Sequence, residues 1–341
     1  MGYLNLDEII IEDKHSSKLY DIKKLLLKQG LKFEENIEYT VALYDDNKII
    51  ATGSSEGKIL KCIAVDDNYK QMGISNTIIS DLISEQYRRG NTHLFVYTKP
   101  KNHRVFQELG FYKIAEVPNK VLLLENDPCG IKKYINNLKK EKISGDVISS
   151  VVVNCNPFTL GHKYLIEKAS RESDVVHVFV VSEDKSVFPS YIRYKLVKEG
   201  LSHLKNVILH KSQNYIISSA TFPSYFMKKQ NEAVKTHCLL DIQIFMKYIV
   251  PALGINKRYV GEEPLCLVTK NYNDTMKEML PKGNVEVIEV PRIEIGGNIT
   301  SASTVRKLIK ENKFLEVRSL VPDTTYNFLM SREGMSIIGI I

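Results

Sequence analysis

Val151-Val152-Val153-Asn154-Cys155-Asn156-Pro157-Phe158-Thr159-Leu160-Gly161-His162 is the stretch that decides the fold. A run of β-branched residues ends in a polar turn containing proline, and a helical pattern starts at Gly161-His162. A buried strand feeding a helix N-terminus is where α/β sheets bind phosphates. The first N–H groups of the helix have no intrahelical partner, and they sit at the positive end of its dipole. Outward from this point, 147–153, 175–181 and 206–210 read as strands, with helices over 161–172 and 192–204 between them. A helix over 239–253, a strand over 257–260, a helix over 272–280 and a strand over 285–290 follow. This alternation with short connections predicts a doubly wound, mostly parallel sheet, with ligands at the C-terminal ends of its strands.

The front half has its own alternation. Strands are expected over 39–44 and 48–54, around the turn Asp45-Asp46-Asn47, and over 59–65 and 93–97. Ile74, Ile78, Leu82 and Ile83 place a helix over 74–88, and a short helix over 101–109 stops at Gly110. Residues 126–146 open with turn residues and end in a charged, glycine-containing stretch, with one short helix over 131–138; they read as the seam. The expected domains are 1–128, a linker over 129–146, 147–330, and a C-terminal tail over 331–341.

Composition sets the class. A chain of 341 residues with 43% apolar and 26% charged residues suits a soluble protein of two domains. The net charge of +7 favours anionic ligands, but no dense basic run or aromatic-interleaved Arg/Lys patch points to nucleic acid. Five widely spaced cysteines without a CxxC imply neither a zinc site nor a disulfide frame, and reduced thiols are expected. The N-terminus lacks the order of a signal peptide, and no apolar run reaches membrane-spanning length, so a cytoplasmic enzyme that binds no membrane is expected.

The chemistry concentrates in two motifs. An imidazole at His162, in the first turn of a helix, can donate to a phosphate oxygen and offset charge building on a leaving group. Thr159 offers a hydroxyl to the same place, and Gly161 lets backbone approach closely. The second motif is Ile299-Thr300-Ser301-Ala302-Ser303-Thr304-Val305-Arg306-Lys307. There Ser301 caps a helix continued by Val305, Leu308 and Ile309; Ser301 and Ser303 can grip β- and γ-phosphates, and Arg306 adds a planar, permanent cation. Transfer at a phosphate needs Mg²⁺ bridging the phosphate oxygens. No acidic cluster calls for a dedicated metal site, so no metal-ligating residue is named.

Thr159-x-Gly161-His162 resembles the T/HxGH signature of the nucleotidyltransferase superfamily, whose members attack the α-phosphate of ATP and release pyrophosphate. The stretch 299–307 resembles the ISSTxxR signature of the same superfamily, from which Thr300 and Ala302 depart. In the front half, Lys70-Gln71-Met72-Gly73-Ile74-Ser75 follows a strand and opens a helix. It resembles the pyrophosphate loop of GNAT acetyltransferases, and Asn102 with Phe106-Gln107-Glu108-Leu109-Gly110-Phe111 resembles the closing elements of that fold. No convincing acid or base for acetyl transfer accompanies the loop, which favours binding over catalysis there. Tyr259-Val260-Gly261-Glu262-Glu263-Pro264 and Glu289-Val290-Pro291-Arg292, behind a GNAT-like domain, resemble the [citrate (pro-3S)-lyase] ligase family over nearly the whole chain.

That resemblance implies a GNAT-like α+β domain followed by a Rossmann-like nucleotidyltransferase domain. It also implies use of ATP and acetate to acetylate the thiol of a CoA-like prosthetic group on the acyl-carrier subunit of citrate lyase, through acetyl-AMP, releasing AMP and pyrophosphate. The residues expected to meet ATP are Asn156, Phe158, Thr159, Gly161, His162, Gly261, Glu263, Ser301, Ser303 and Arg306, with His162 and Arg306 catalytic. Lys70, Gln71, Gly73 and Ser75 are expected to hold the prosthetic group. Three other readings stand beside this one: a pantetheine-phosphate or nicotinamide-mononucleotide adenylyltransferase, an acetyltransferase with a regulatory nucleotide domain, and a non-catalytic nucleotide sensor.

Overall fold

Seven strands form one sheet in the first of the chain's two units, Met1–Gly130. They are β1 (Leu6–Ile11), β2 (Tyr39–Asp45), β3 (Lys48–Glu56), β4 (Ile59–Val65), β5 (Phe95–Thr98), β6 (Tyr112–Val117) and β7 (Val121–Glu125), in the order β1-β2-β3-β4-β5-β7-β6. Neighbours run antiparallel except β4 and β5, which are parallel and pair at Ile59↔Phe95 and Leu60↔Val96. Helix α1 (Lys18–Lys28) buries Leu19, Ile22, Leu25 and Leu26 with Ala42, Tyr44 and Ala64 on one face of the sheet. Helix α2 (Ile74–Arg88) buries Ile78, Ile79 and Leu82 with Val41, Leu43 and Leu60 on the other. A short α3 (His103–Glu108) adds Phe106, packed edge-on against Phe111. A mixed sheet with a helix on each face and one parallel step in its middle is a GNAT-like α+β arrangement. The structure, a computed structural model, describes residues 6–11, 17–34, 36–223, 233–264, 266–295 and 298–339. The outer ends of the expected ranges, 1–5 and 340–341, lie outside them.

The second unit, Ile131–Ile341, begins with α4 (Gly130–Lys140). Ile131, Tyr134, Ile135 and Leu138 of α4 are buried. Tyr134 stacks on Tyr215 and donates to the Lys211 carbonyl at 3.2 Å. The stretch 129–146 is thus mostly a helix of this unit rather than a free connection. The expected helix over 131–138 extends from 130 to 140 with Lys132, Lys133, Lys139 and Lys140 on its exposed face, and the charged end 141–146 lies beyond it.

Five strands follow: β8 (Ile148–Val153), β9 (Val175–Val180), β10 (Val207–Lys211), β11 (Lys257–Gly261) and β12 (Glu286–Val290). Their order is β10-β9-β8-β11-β12 and every pair is parallel. The chain therefore builds outward from β8 in one direction and then, from β11, in the other. The C-terminal end of β8 is the switch point, where open α/β sheets bind ligands. Helices α5 (Leu160–Arg171) and α6 (Ser190–Gly200) cover one face, around Val151, Val176, Val178, Ile166, Leu196 and Val197. Helix α7 (Val234–Ile244) runs through a π-helical turn, Phe245–Ile249, into α8 (Val250–Leu253). Helix α9 (Leu267–Met279) packs beside α7. A two-stranded ribbon, β13 (Glu294–Ile295) and β14 (Asn298–Ile299), leads into α10 (Ala302–Lys310).

Helices α11 (Phe314–Leu320), α12 (Asp323–Leu329) and α13 (Arg332–Ile338) close the unit. Residues 331–339, expected as a tail, are structured: Ser331 caps α13, and Ile337 and Ile338 pack on the core.

Candidate active site

Two helix N-termini converge beyond the end of β8. Thr159 caps α5 and Ser301 caps α10, where the Ser301 hydroxyl accepts the Thr304 N–H at 3.0 Å. Gly161 explains how they come so close. A Cβ there would stand 3.1 Å from the Thr300 carbonyl oxygen, so any larger residue would push the two motifs apart. Arg306 ties them together from the other side. One terminal nitrogen donates to the Asn156 carbonyl and the other to the Ser303 hydroxyl at 3.1 Å. Sequence positions 150 residues apart thus form one positively polarised corner.

The His162 ring is oriented by its own helix cap. Its Nδ1 accepts the Thr159 backbone N–H at 3.1 Å and lies 2.9 Å from the Thr159 hydroxyl oxygen, while the His162 N–H points back to that oxygen at 3.4 Å. A nitrogen that accepts a backbone N–H carries no proton, so in the neutral ring the proton is on Nε2. Burial, with the nearby Arg292 cation, holds the imidazole well below its ordinary value, at about 4. At neutral pH the ring is therefore an uncharged donor through Nε2. The fixed positive charge of the corner comes from Arg306 and Arg292.

Several expected contacts take other roles. Phe158, expected at ATP, is fully buried and stacked beside the His162 ring, so its side chain seats the loop. The Thr159 hydroxyl is engaged in the cap and buried, so it orders His162 rather than facing solvent. Glu263 accepts the Cys266 N–H at 3.1 Å and pairs with Arg292 at 2.6 Å. Gly261, at the end of β11, accepts the Asn273 amide through its carbonyl at 2.9 Å. The Asn156 side chain accepts the Phe188 N–H at 3.1 Å, bracing the turn. Ser303 is exposed.

Two arginines had no role assigned from sequence. Arg292 donates from Nε to the Glu262 carbonyl at 2.8 Å and lies close enough to His162 to depress its protonation. Arg193, on α6, is fully buried, and its guanidinium bonds the carbonyls of Phe188, Asn154, Val181 and Glu183 and the Asn154 side-chain oxygen, at 2.6 to 2.9 Å. It fastens the loop after β8 to the loop after β9. The sequence signal was an arginine inside the apolar stripe of Ile192, Leu196 and Val197.

In the first unit, Gly73 caps α2 with φ +79 and Gln71 has φ +68, so the turn presents its backbone outward. Residues 71–73 are exposed and Ser75 is half-buried. The Lys70 ammonium is held by Asp67 and, at 3.2 Å, by the Gln29 side-chain oxygen.

Comparison with known proteins identifies the class. Residues 148–329 match the citrate lyase ligase C-terminal domain. The chain is 39% identical to the [citrate [pro-3S]-lyase] ligase of Haemophilus influenzae over 334 residues, covering 96% of this chain and 98% of that protein. The chain belongs to the citrate lyase ligase family. As a member of that family it is an enzyme, a ligase. Over 71 residues, 20% of this chain and 43% of the other, it is also 41% identical to the phosphopantetheine adenylyltransferase of Streptococcus sanguinis. A solved acyl-CoA N-acyltransferase from Pseudomonas aeruginosa is similar at a TM-score of 0.33 and 10% identity, covering 36% of this chain and 100% of that one. No helix among the described residues is long and apolar enough to cross a membrane.

Proposed function

We propose that this ligase uses ATP and acetate to acetylate the thiol of the CoA-like prosthetic group on the acyl-carrier subunit of citrate lyase. The observation that carries the reading is the corner where the N-termini of α5 and α10 meet under Arg306 and beside His162. An acetate oxygen attacks the α-phosphorus of ATP, the bond from that phosphorus to the pyrophosphate oxygen breaks, and acetyl-AMP forms. The β- and γ-phosphates lie on the α10 terminus, at Ser301, Ser303 and Arg306. His162 donates from Nε2 to an oxygen that gains charge as the bond breaks. The prosthetic-group thiolate then attacks the acetyl carbonyl and AMP leaves. The resemblance to an adenylyltransferase over 71 residues supports nucleotide use. Mg²⁺, when bound, neutralises phosphate charge. Among the described residues no group of three or more His, Cys, Asp or Glu is placed to hold a metal ion.

The experiment is pyrophosphate release from ATP with and without acetate, in the absence of carrier. Release that depends on acetate is the expected result. Release that needs a phosphopantetheine or mononucleotide acceptor instead, or none at all, would refute the reading.

Cys155 lies beside the nucleotide turn but is fully buried, and burial pushes its thiol far up, so it is not the acetyl carrier. Cys155→Ala should keep acetate-dependent turnover within about threefold, since only a small packed side chain is trimmed. Acetyl-AMP formation without transfer in that variant would reinstate it.

Gly73→Asp should leave pyrophosphate release unchanged and lower carrier acetylation by about 10-fold or more, because it adds a negative charge where a diphosphate would sit. Gly90 is the matched control: its φ is +82, and a Cβ at either glycine meets nothing within 4 Å. Equal losses in Gly73→Asp and Gly90→Asp would reduce the effect to backbone strain.

A further inference from the structure

The outer face of α1 has the form of a docking surface. Tyr20, Lys23, Lys24 and Leu27 follow at i, i+3, i+4 and i+7, which places them on one stripe opposite the buried Leu19, Ile22, Leu25 and Leu26. Tyr20 is 72% exposed and Leu27 70%. These two apolar side chains bracket the two lysines on the stripe. Lys23 reaches the Phe33 ring at 5.8 Å, and neither Lys23 nor Lys24 has an ion-pair partner among the described residues. Some lysines elsewhere on this unit are neutralised, Lys61 by Glu34 and Glu56 and Lys113 by Glu116.

The position of the stripe gives it meaning. The C-terminal end of α1 is tied to the glycine loop, through Lys28 to Asp66 at 3.5 Å and Lys70 to Gln29 at 3.2 Å. The loop adds Met72, 53% exposed. A basic, partly apolar stripe thus borders the turn proposed to hold the prosthetic group's diphosphate.

We infer that the α1 stripe is where the acyl-carrier subunit docks, through an acidic and partly apolar protein surface that brings its prosthetic arm to the Gly73 loop. This inference rests on the proposed acetylation of that carrier. Lysines with no ion-pair partner among the described residues set the approach and register of an acidic partner, and Tyr20 and Leu27 supply the desolvated contact. The stripe carries two basic and two apolar residues, a balance that favours a protein over a nucleic acid.

The test uses the full-length enzyme and purified carrier in its thiol form. Lys23→Glu with Lys24→Glu should raise the KM for carrier by about 10-fold or more, leave kcat at saturating carrier within about twofold, and leave acetate-dependent pyrophosphate release unchanged. The KM of the unaltered enzyme should climb as salt rises from about 50 to about 300 mM, while that of the variant should not. Lys23→Arg with Lys24→Arg should behave as the unaltered enzyme. An unchanged KM in the Glu variant overturns the assignment, and so does equal impairment in the Arg variant. A changed oligomeric state in the Glu variant would make the stripe a contact between copies and overturn it too. Failure of the underlying reading would show separately, as pyrophosphate release that ignores acetate.

Discussion

His162→Ala should lower acetate-dependent pyrophosphate release by about 10²- to 10³-fold, the range for losing one preorganised donor at a developing negative charge. The fold should be intact, because the ring is half-buried and its polar contacts are local to the α5 cap. His162→Gln should recover part of the loss, since an amide can donate in place of Nε2–H. The pH dependence carries the sharper statement. The ring stays neutral above about 4 because burial and Arg292 disfavour its cation. A donor of this kind works unchanged from about pH 5 to about pH 8, whereas an imidazolium would fade above its ordinary value of about 6.5. In stability terms the folded value lies below the unfolded one, so His162 reduces stability only as pH falls from about 6.5 toward about 4. A pH–rate profile that loses activity on rising through about 6.5, and loses that limb in His162→Ala, would show that His162 acts as a cation and sink the neutral-donor account. Near-normal turnover in His162→Ala would remove it from the mechanism altogether.

The sequence disclosed the site's frame because that frame is local. Strand, turn, cap and histidine are consecutive from Val151 to His162, so spacing alone carries them. The second motif is equally compact, from Thr300 to Arg306. What spacing could not show is which side chains face the ligand and which hold the frame. Phe158 and Thr159 sit inside the motif, yet both are buried, one as core and the other as a helix cap. Glu263 and Arg292 read as two separate signals and are one ion pair. Helix α1, with its stripe Leu19, Ile22, Leu25 and Leu26, was not read from the sequence. For Arg193 the sequence held only a faint signal, its place among Ile192, Leu196 and Val197, since an arginine on a helix is usually solvated and only the folded chain brings five oxygens around it.

Arg193 is also where the largest stability effect is expected. Its removal leaves the carbonyls of Asn154, Val181, Glu183 and Phe188 inside the second unit without their donor. A buried polar group left unpaired costs about 1–3 kcal/mol. Water entering the vacated volume would relieve some of these, so Arg193→Ala should destabilise the unit by about 3–5 kcal/mol, a large share of the about 5–15 kcal/mol that holds a typical domain together. Arg193→Lys should lose less, about 1–3 kcal/mol, because an ammonium fills part of the space but cannot direct a planar fork at several carbonyls. Hydrogen exchange locates the effect. Amides of β8 and β9 should exchange faster in both variants, while those of β2 and β3 in the first unit should serve as an unchanged reference. At a temperature where Arg193→Lys is still folded, kcat should fall while the carrier's KM holds, since the loops after β8 and β9 would no longer be fixed against each other but the α1 stripe is untouched. Unaltered exchange in β8 and β9 would mean the carbonyls find other partners. In that case the site's geometry is held by the α5 and α10 caps alone.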